Sequence, residues 1–378
     1  MNFAIEELVQ DCNLNFLIGS GLSSPYLRTL GQIETLLTQL DQSGADESEK
    51  KIVRCSLYRA YFAGVMLKNC KLLKGDPDAK AILANYYDFL KVIAEILLKR
   101  KSSILGKEAN LFTTNIDVFL ERAVEQVGLE CNDGFSGRFE PWFDLSNFNK
   151  SHFKRSPQYD NRSELPTLNL LKLHGSLTWK WRDVGPKEIV FCPDLSHVEE
   201  IESKALKLTQ GLLLDVNESS TFQGLRSDSH SRKPDATVEA FLEAYDALPI
   251  VNPTKTKFQQ TILNQTHYEL LRIYSNELEK ENTVLFVFGF SFADEHIREI
   301  TVRAANSNPT LMVYIYAYDQ KSAADISARF PPEGIRNSNI EILKPETDER
   351  GADKFNYDFA KINKSVLHDI IQNVRSGT

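Results

Sequence analysis

The sequence predicts an α/β protein: a parallel sheet covered by helices on both faces. Three observations carry this expectation. Short apolar, β-prone runs recur along the chain, the clearest at residues 14–18 and 283–288, and segments with helical spacing lie between them. Strands that alternate with helices are joined by crossovers, and crossovers build parallel sheets. Residues 283–288 are apolar at nearly every position rather than every second one, as a strand buried on both faces must be. The length of 378 residues, with 42% hydrophobic and 25% charged, suits one large folded domain over 1–378 carrying an inserted helical part.

The elements follow in order. Residues 14–18 read as a buried strand closed by a tight Gly19-Ser20-Gly21 turn. From 32 to 105 the pattern is helical, with segments at 33–40, 52–67 and 79–100, and this stretch reads as an insertion. The charged run 46–51 within it reads as a solvated loop or a helix start. A second strand is expected at 110–115, running into helical spacing from Ile116 to Ala123. Residues 133–166 then turn rich in Phe, Ser, Asn, Pro and Gly without periodicity, and read as a long excursion. Phe135, Phe139, Trp142, Phe143, Phe148 and Phe153 crowd it, which fits a satellite core beneath a loop, or an interface or lid.

A strand at 168–173 ends in His174-Gly175-Ser176, and two antiparallel strands follow at 177–182 and 188–191. The polar, Ser-rich stretch 218–235 reads as a flexible loop. A strand at 247–251 leads into Asn252-Pro253-Thr254-Lys255, which fits a strand-end turn or the border of a pocket. A long helix at 258–278 precedes the strand at 283–288, which ends in Gly289-Phe290-Ser291. A helix from Asp294, a strand at 311–318, segments at 322–328 and 340–343, and a C-terminal helix within 356–378 continue the alternation. The run Asp294-Glu295-His296 reads as an acid-rich helix start rather than a metal cluster. The C-terminal helix reads as a packing element or a dock for a partner chain.

Charge and cysteine usage narrow the function classes. The net charge is −8 and the pI near 5.5, so nucleic acid, which rewards clustered positive charge, is not the expected partner. Cys12, Cys55, Cys70, Cys131 and Cys192 are scattered, without the paired spacing of a zinc module, and fit reduced thiols. No metal is expected. The N-terminus lacks a basic start followed by an apolar run, and no apolar window approaches a membrane span, so a cytoplasmic location is expected.

In an open parallel sheet, ligands bind beyond the carboxyl ends of the strands. Four polar motifs fall at such ends: Gly19-Ser20-Gly21-Leu22-Ser23, Thr113-Thr114-Asn115-Ile116-Asp117, His174-Gly175-Ser176 and Gly289-Phe290-Ser291. Each alone has an ordinary reading. The first also fits a plain strand-to-helix turn, and Ser24 stands where a third glycine of the G-x-G-x-x-G pattern would be. If the first is a ligand loop, its glycines allow close backbone approach, the following amides face a pyrophosphate, and Arg28 adds charge. Asn115 or Asp117 also fits a helix cap, a lone histidine is often structural, and Gly289-Phe290-Ser291 also fits a turn.

Together, and in this order, the four motifs resemble the sirtuin family. Its Gly-x-Gly-x-Ser loop is matched by Gly19 to Ser23, its Thr-x-Asn-x-Asp motif by Thr113 to Asp117, its His-Gly pair by His174-Gly175, and its later Gly-x-Ser loop by Gly289 to Ser291. The resemblance covers the framework from residue 14 to about 318, without the helical stretch or the aromatic excursion. It implies a Rossmann-type sheet and NAD as substrate. Two departures matter: the family's deacetylases carry a four-cysteine zinc module where this chain has only Cys192, and the first loop continues Ser24-Pro25-Tyr26-Leu27-Arg28 instead of Ile-Pro-Asp-Phe-Arg. These bring the chain nearer to sirtuin-like effectors of bacterial anti-phage defence, which hydrolyse NAD, often form homo-oligomers, and frequently work with a HerA-type ATPase. The alternatives are an NAD-dependent protein deacylase and a noncatalytic sensor of NAD or ADP-ribose.

The resemblance also implies roles. Asp117 would accept a hydrogen bond from the nicotinamide amide, Asn115 would orient the ribose hydroxyls or the attacking water, and His174 would act as general base. Gly19, Ser20, Gly21 and Ser23 would line the pyrophosphate and nearby ribose, Gly289 and Ser291 would contact the adenosine half, and Thr114 would also bind the dinucleotide.

Overall fold

The computed structural model describes residues 5–28, 32–100, 105–252, 261–330 and 334–376. Seven strands build a parallel sheet: β1 (Asn13–Ile18), β2 (Glu108–Thr113), β3 (Glu130–Asn132), β4 (Thr167–Lys172), β5 (Thr283–Phe288), β6 (Leu311–Tyr316) and β7 (Ile340–Leu343). Their spatial order is β7-β6-β5-β1-β2-β4-β3, and every neighbouring pair is parallel. The fold is Rossmann-like. The chain leaves β1 toward β2 and returns to lay β5 on its other side, so the topological switch point lies between β1 and β5. Crevices at such points are where open α/β sheets bind ligands.

Alternation of side chains packs both faces. Phe16, Ile18, Val284, Phe286, Phe288, Tyr314 and Tyr316 enter one core, while Leu17, Leu285, Val287, Val313 and Ile315 enter the other. All six residues of β4 and of β5 are buried, which explains the nearly continuous apolar run of β5. Helices Ile33–Gln42, Glu47–Tyr61, Lys80–Lys99 and Phe119–Val127 cover the first face, and Thr261–Glu279, Glu295–Ser307 and Gln320–Ser327 the second. Among the described residues no helix is long and apolar enough to cross a membrane.

A ladder of asparagines, all but Asn110 buried, links four strands of the sheet. Asn110 Nδ2 donates to Asn15 Oδ1 (2.8 Å), Asn169 Nδ2 to Asn110 Oδ1 (2.8 Å), and Asn132 Nδ2 to Asn169 Oδ1 (2.9 Å). The four residues are register partners on adjacent strands. A slip of any one strand would leave these amides unpaired in the core, so the ladder fixes register at a stability cost for error. Asn169→Ala removes a partner from both Asn110 and Asn132, and is expected to cost about 1–3 kcal/mol, read as a lower urea midpoint.

Of the two readings of the charged run 46–51, the helix start holds: Asp46 accepts a bond from the Glu49 amide. Several other expectations change. β2 ends at Thr113, and the helix after it begins only at Phe119, so 114–118 form a loop. The stretch 218–235 is not a loop throughout, because Phe222–Ser229 is helical with Thr221 as its cap; its polar, Ser-rich sequence hides the pattern. No strand forms at 247–251; Ile250 makes only an isolated bridge to Gly175. Asn252 is described, but Pro253, Thr254 and Lys255 lie outside the described residues, as does the start of the helix expected from 258.

The aromatic excursion is partly sheet. Phe135–Ser136 and Trp142–Phe143 join Ile189–Phe191 and Trp179–Trp181 in a four-stranded antiparallel sheet. Phe135, Phe143, Phe148 and Trp179 pack there with ring centroids 4.9–6.1 Å apart. Phe139, Trp142 and Phe153 are exposed, so the excursion supplies both a satellite core and bare aromatic surface.

Candidate active site

The carboxyl ends of β1, β2, β4, β5 and β6 open onto one cavity of about 860 Å³. That is in the upper part of the range for small-molecule sites, about 300–1,000 Å³. Of the four motifs, all residues line it except Gly19, Thr113, Gly175 and Ser176, and of these only Gly19 is expected to meet the ligand. The helical insertion closes one wall with Tyr61, Ile82 and Asn85, and the C-terminal segment another with Tyr357 and Phe359.

The two glycine loops meet at the switch point. A Cβ on Gly19 would lie 2.3 Å from the Gly289 carbonyl oxygen, and Gly289 itself has φ +63° with Leu22 directly against it. The Gly19 amide donates to Phe288 and the Gly21 amide to Gly289. These amides therefore hold the loops together, and the turn after them is a single 3-10 turn, Ser20–Ser23, rather than the start of a long helix. A pyrophosphate cradle made by the Gly19 and Gly21 amides is thus not what the glycines build. They let two backbones touch. Ser20 and Arg28 remain on the cavity wall, and Arg28 is the one lysine or arginine lining it among the described residues.

The loop 114–118 is gripped from three sides. Thr113 Oγ1 donates to the Ile18 carbonyl and accepts from the Asn115 amide. Leu177 N–H donates to the Ile116 carbonyl, and the Val118 amide donates to Asn69 Oδ1 from the helical insertion. Asn115 is only 6% exposed, yet neither atom of its carboxamide meets a partner at hydrogen-bond geometry. Tyr86 lies close enough for that amide to favour its phenolate electrostatically, but burial dominates and keeps the phenol protonated. A buried amide without partners is costly, and a polar ligand that bonds it removes the cost.

Asp117 is buried beside it. Ser23 Oγ donates to its Oδ2 (2.8 Å) and the Phe119 amide to its Oδ1 (3.2 Å). Tyr86 Oη is 2.9 Å from the Ser23 hydroxyl. Ser23 thus lines the cavity with its hydroxyl committed to Asp117 and Tyr86. Burial raises the Asp117 pKa above the usual carboxylate range; Lys172 and the Ser23 hydrogen bond oppose the shift without cancelling it. Lys172, 3% exposed, donates to the Asp117 carbonyl and pairs with Glu121 (3.1 Å), which also accepts from Ser176 Oγ (2.8 Å). Sequence reading missed this buried network; its visible signal was a lysine ending an apolar strand.

His174 follows β4. Gly175 has φ +79°, and a Cβ there would lie 2.4 Å from the Pro249 carbonyl oxygen, so only glycine lets the 249–251 segment run against His174. Val251 N–H donates to the His174 carbonyl (2.9 Å). His174 Nε2 lies 3.0 Å from Asp294 Oδ2, while Asp294 Oδ1 caps the helix Glu295–Ser307 through the His296 and Ile297 amides. One carboxylate starts a helix and orients the histidine. An ionised Asp294 only accepts, so Nε2 carries the proton and Nδ1 is the basic nitrogen. The acid-rich helix start is as expected, but its capping residue Asp294 also lines the cavity and pairs with His174, which no local pattern in the sequence signals.

The loop from β5 to Asp294 is held by Phe292, a buried residue at φ +56° packed edge-on against Phe290 and Phe330. Non-glycine residues pay to sit there, and packing holds this one in place. Gly289 and Ser291 reach the cavity from this loop. All five cysteines are free, and among the described residues no group of three His, Cys, Asp or Glu side chains is arranged to hold a metal. Compared with known proteins, the chain matches no family model and no curated protein.

Proposed function

We propose that the chain is an NAD glycohydrolase that splits the nicotinamide–ribose bond to give nicotinamide and ADP-ribose. One observation carries this reading: an unpartnered buried amide, a buried carboxylate and a carboxylate-oriented histidine face one cavity at the switch point of a parallel sheet. Bond cleavage builds positive charge on the ribose carbon, as in glycoside hydrolysis. The nicotinamide leaves as a neutral base, so the site needs no strong acid. Asp117 accepts the nicotinamide amide, Asn115 holds the ribose hydroxyls or water, and His174 Nδ1 takes the proton from the water that attacks. Asp294 holds the imidazole in that tautomer, as the carboxylate of a catalytic triad does.

The pyrophosphate contact falls to Arg28 and Ser20, because the glycine amides are engaged. Arg28→Ala is expected to raise KM for NAD about tenfold with kcat nearly unchanged, as loss of a charged contact worth roughly 1.4 kcal/mol requires. The defence role and a HerA-type ATPase partner rest on the resemblance of the four loops. A homo-oligomer is supported further by the exposed Phe139 and Trp142.

The test is nicotinamide release from NAD by the purified protein, with and without the product of the neighbouring gene, beside His174→Ala. Release that depends on His174 and on no acetyl-peptide supports the reading. Release only with acetyl-peptide would make it a deacylase, and ADP-ribose binding without release under any condition would make it a sensor.

A further inference from the structure

We propose that a groove on the outer side of the helix Glu295–Ser307 is a second ligand site, taking a small polyphosphate of the nucleoside triphosphate class and bearing on the loop that enters the cavity. The groove is open and holds about 670 Å³, a nucleotide-sized space. Arg298, Arg303, Arg329 and Arg336 line it, against one carboxylate, Glu299, among the described residues. Four guanidiniums around one concavity run against a chain of net charge −8. Like charges gathered this way repel one another, and forked guanidinium donors match phosphate oxygens in pairs. A triphosphate carries three to four negative charges, which matches the four cations.

Among the described residues, acids pair with the cluster only sparsely. Glu295 reaches only Arg298, at 3.7 Å. Arg303 donates to the Ser275 hydroxyl (2.8 Å), one bond for a group with five N–H donors. Arg303 and Arg336 are exposed. The other two arginines reach through to the candidate site: Arg329 donates to the Ser291 carbonyl, and Arg298 to the Phe292 carbonyl (3.4 Å). Phosphates that draw these guanidiniums outward remove two bonds from the loop carrying Gly289, Ser291 and Asp294. This second half rests on the reading of the cavity as a nucleotide site.

The experiment is calorimetric titration of the whole protein with inorganic tripolyphosphate, adenosine triphosphate and adenosine, with the cavity saturated by ADP-ribose. Both anions are expected to bind and adenosine not to. Affinity is expected to fall at least tenfold in Arg303→Ala/Arg336→Ala, whose melting temperature stays that of the parent. Absence of heat from both anions, displacement by ADP-ribose, or an unchanged affinity in the double variant would overturn the site. So would tight binding of a single-stranded DNA 20-mer when neither small anion binds. Saturating tripolyphosphate is expected to change the ADP-ribose dissociation constant at least threefold, and an unchanged constant would overturn the link to the loop. If ADP-ribose itself does not bind, the NAD reading fails, and the tripolyphosphate titration still decides the groove.

Discussion

His174→Ala is expected to lower nicotinamide release from NAD by about 100-fold or more, the usual contribution of a positioned general base. Asn115→Ala should fall into the same range for a different reason. It removes a buried amide that meets no partner at hydrogen-bond geometry, so its effect is expected to fall mainly on the bound substrate. Both variants are expected to melt within a few degrees of the parent, because both side chains line the cavity and belong to neither hydrophobic core. Asp294→Asn separates position from chemistry. The amide preserves the shape but can donate toward Nε2, which turns the imidazole to the other tautomer. Its signature is a drop in kcat with a displaced pH–rate profile, and Asp294→Glu should restore part of the rate. The measurement is steady-state nicotinamide release across pH. Full turnover in both His174→Ala and Asn115→Ala would remove these residues from the chemistry.

What the sequence disclosed, and what it hid, follows from range. β5 was readable to the residue, because an apolar run bounded by turns is a local signal. The four loops were readable as candidates because a parallel sheet sends its carboxyl ends to one edge, and the structure brings them to one cavity. Contacts set by distant residues were not readable. The Asn15–Asn110–Asn169–Asn132 ladder joins positions spread over more than 150 residues, and polar residues inside strands carry no local mark of their partners. The pairing of His174 with Asp294 spans 120 residues, so Asp294 looked like a cap and nothing more. The glycine loop misled in detail for a related reason: glycine is required equally by a ligand and by a second backbone, and here the second backbone is the one at Gly289.

Asp117→Asn is expected to raise stability at neutral pH while lowering kcat/KM for NAD about tenfold, the loss of roughly 1.4 kcal/mol when a charged acceptor becomes neutral. The stability half follows from the raised pKa of the buried carboxyl. In the unfolded chain the group ionises near its ordinary value, about 3.9, whereas in the folded chain it keeps its proton to higher pH. Between those two values the folded state binds more protons than the unfolded one, so stability falls as pH rises, and the loss is complete above the folded pKa. Asparagine does not titrate. The melting temperature of Asp117→Asn should therefore gain on the parent as pH rises from about 4 and level off once the folded group has ionised. A gap that stays constant or narrows across that range would show that Lys172 and Ser23 compensate the charge in full. If the gap widens while turnover drops, the protein is holding an unfavourable buried charge at a cost in stability, and the cost is recovered only when a cationic substrate lies against it.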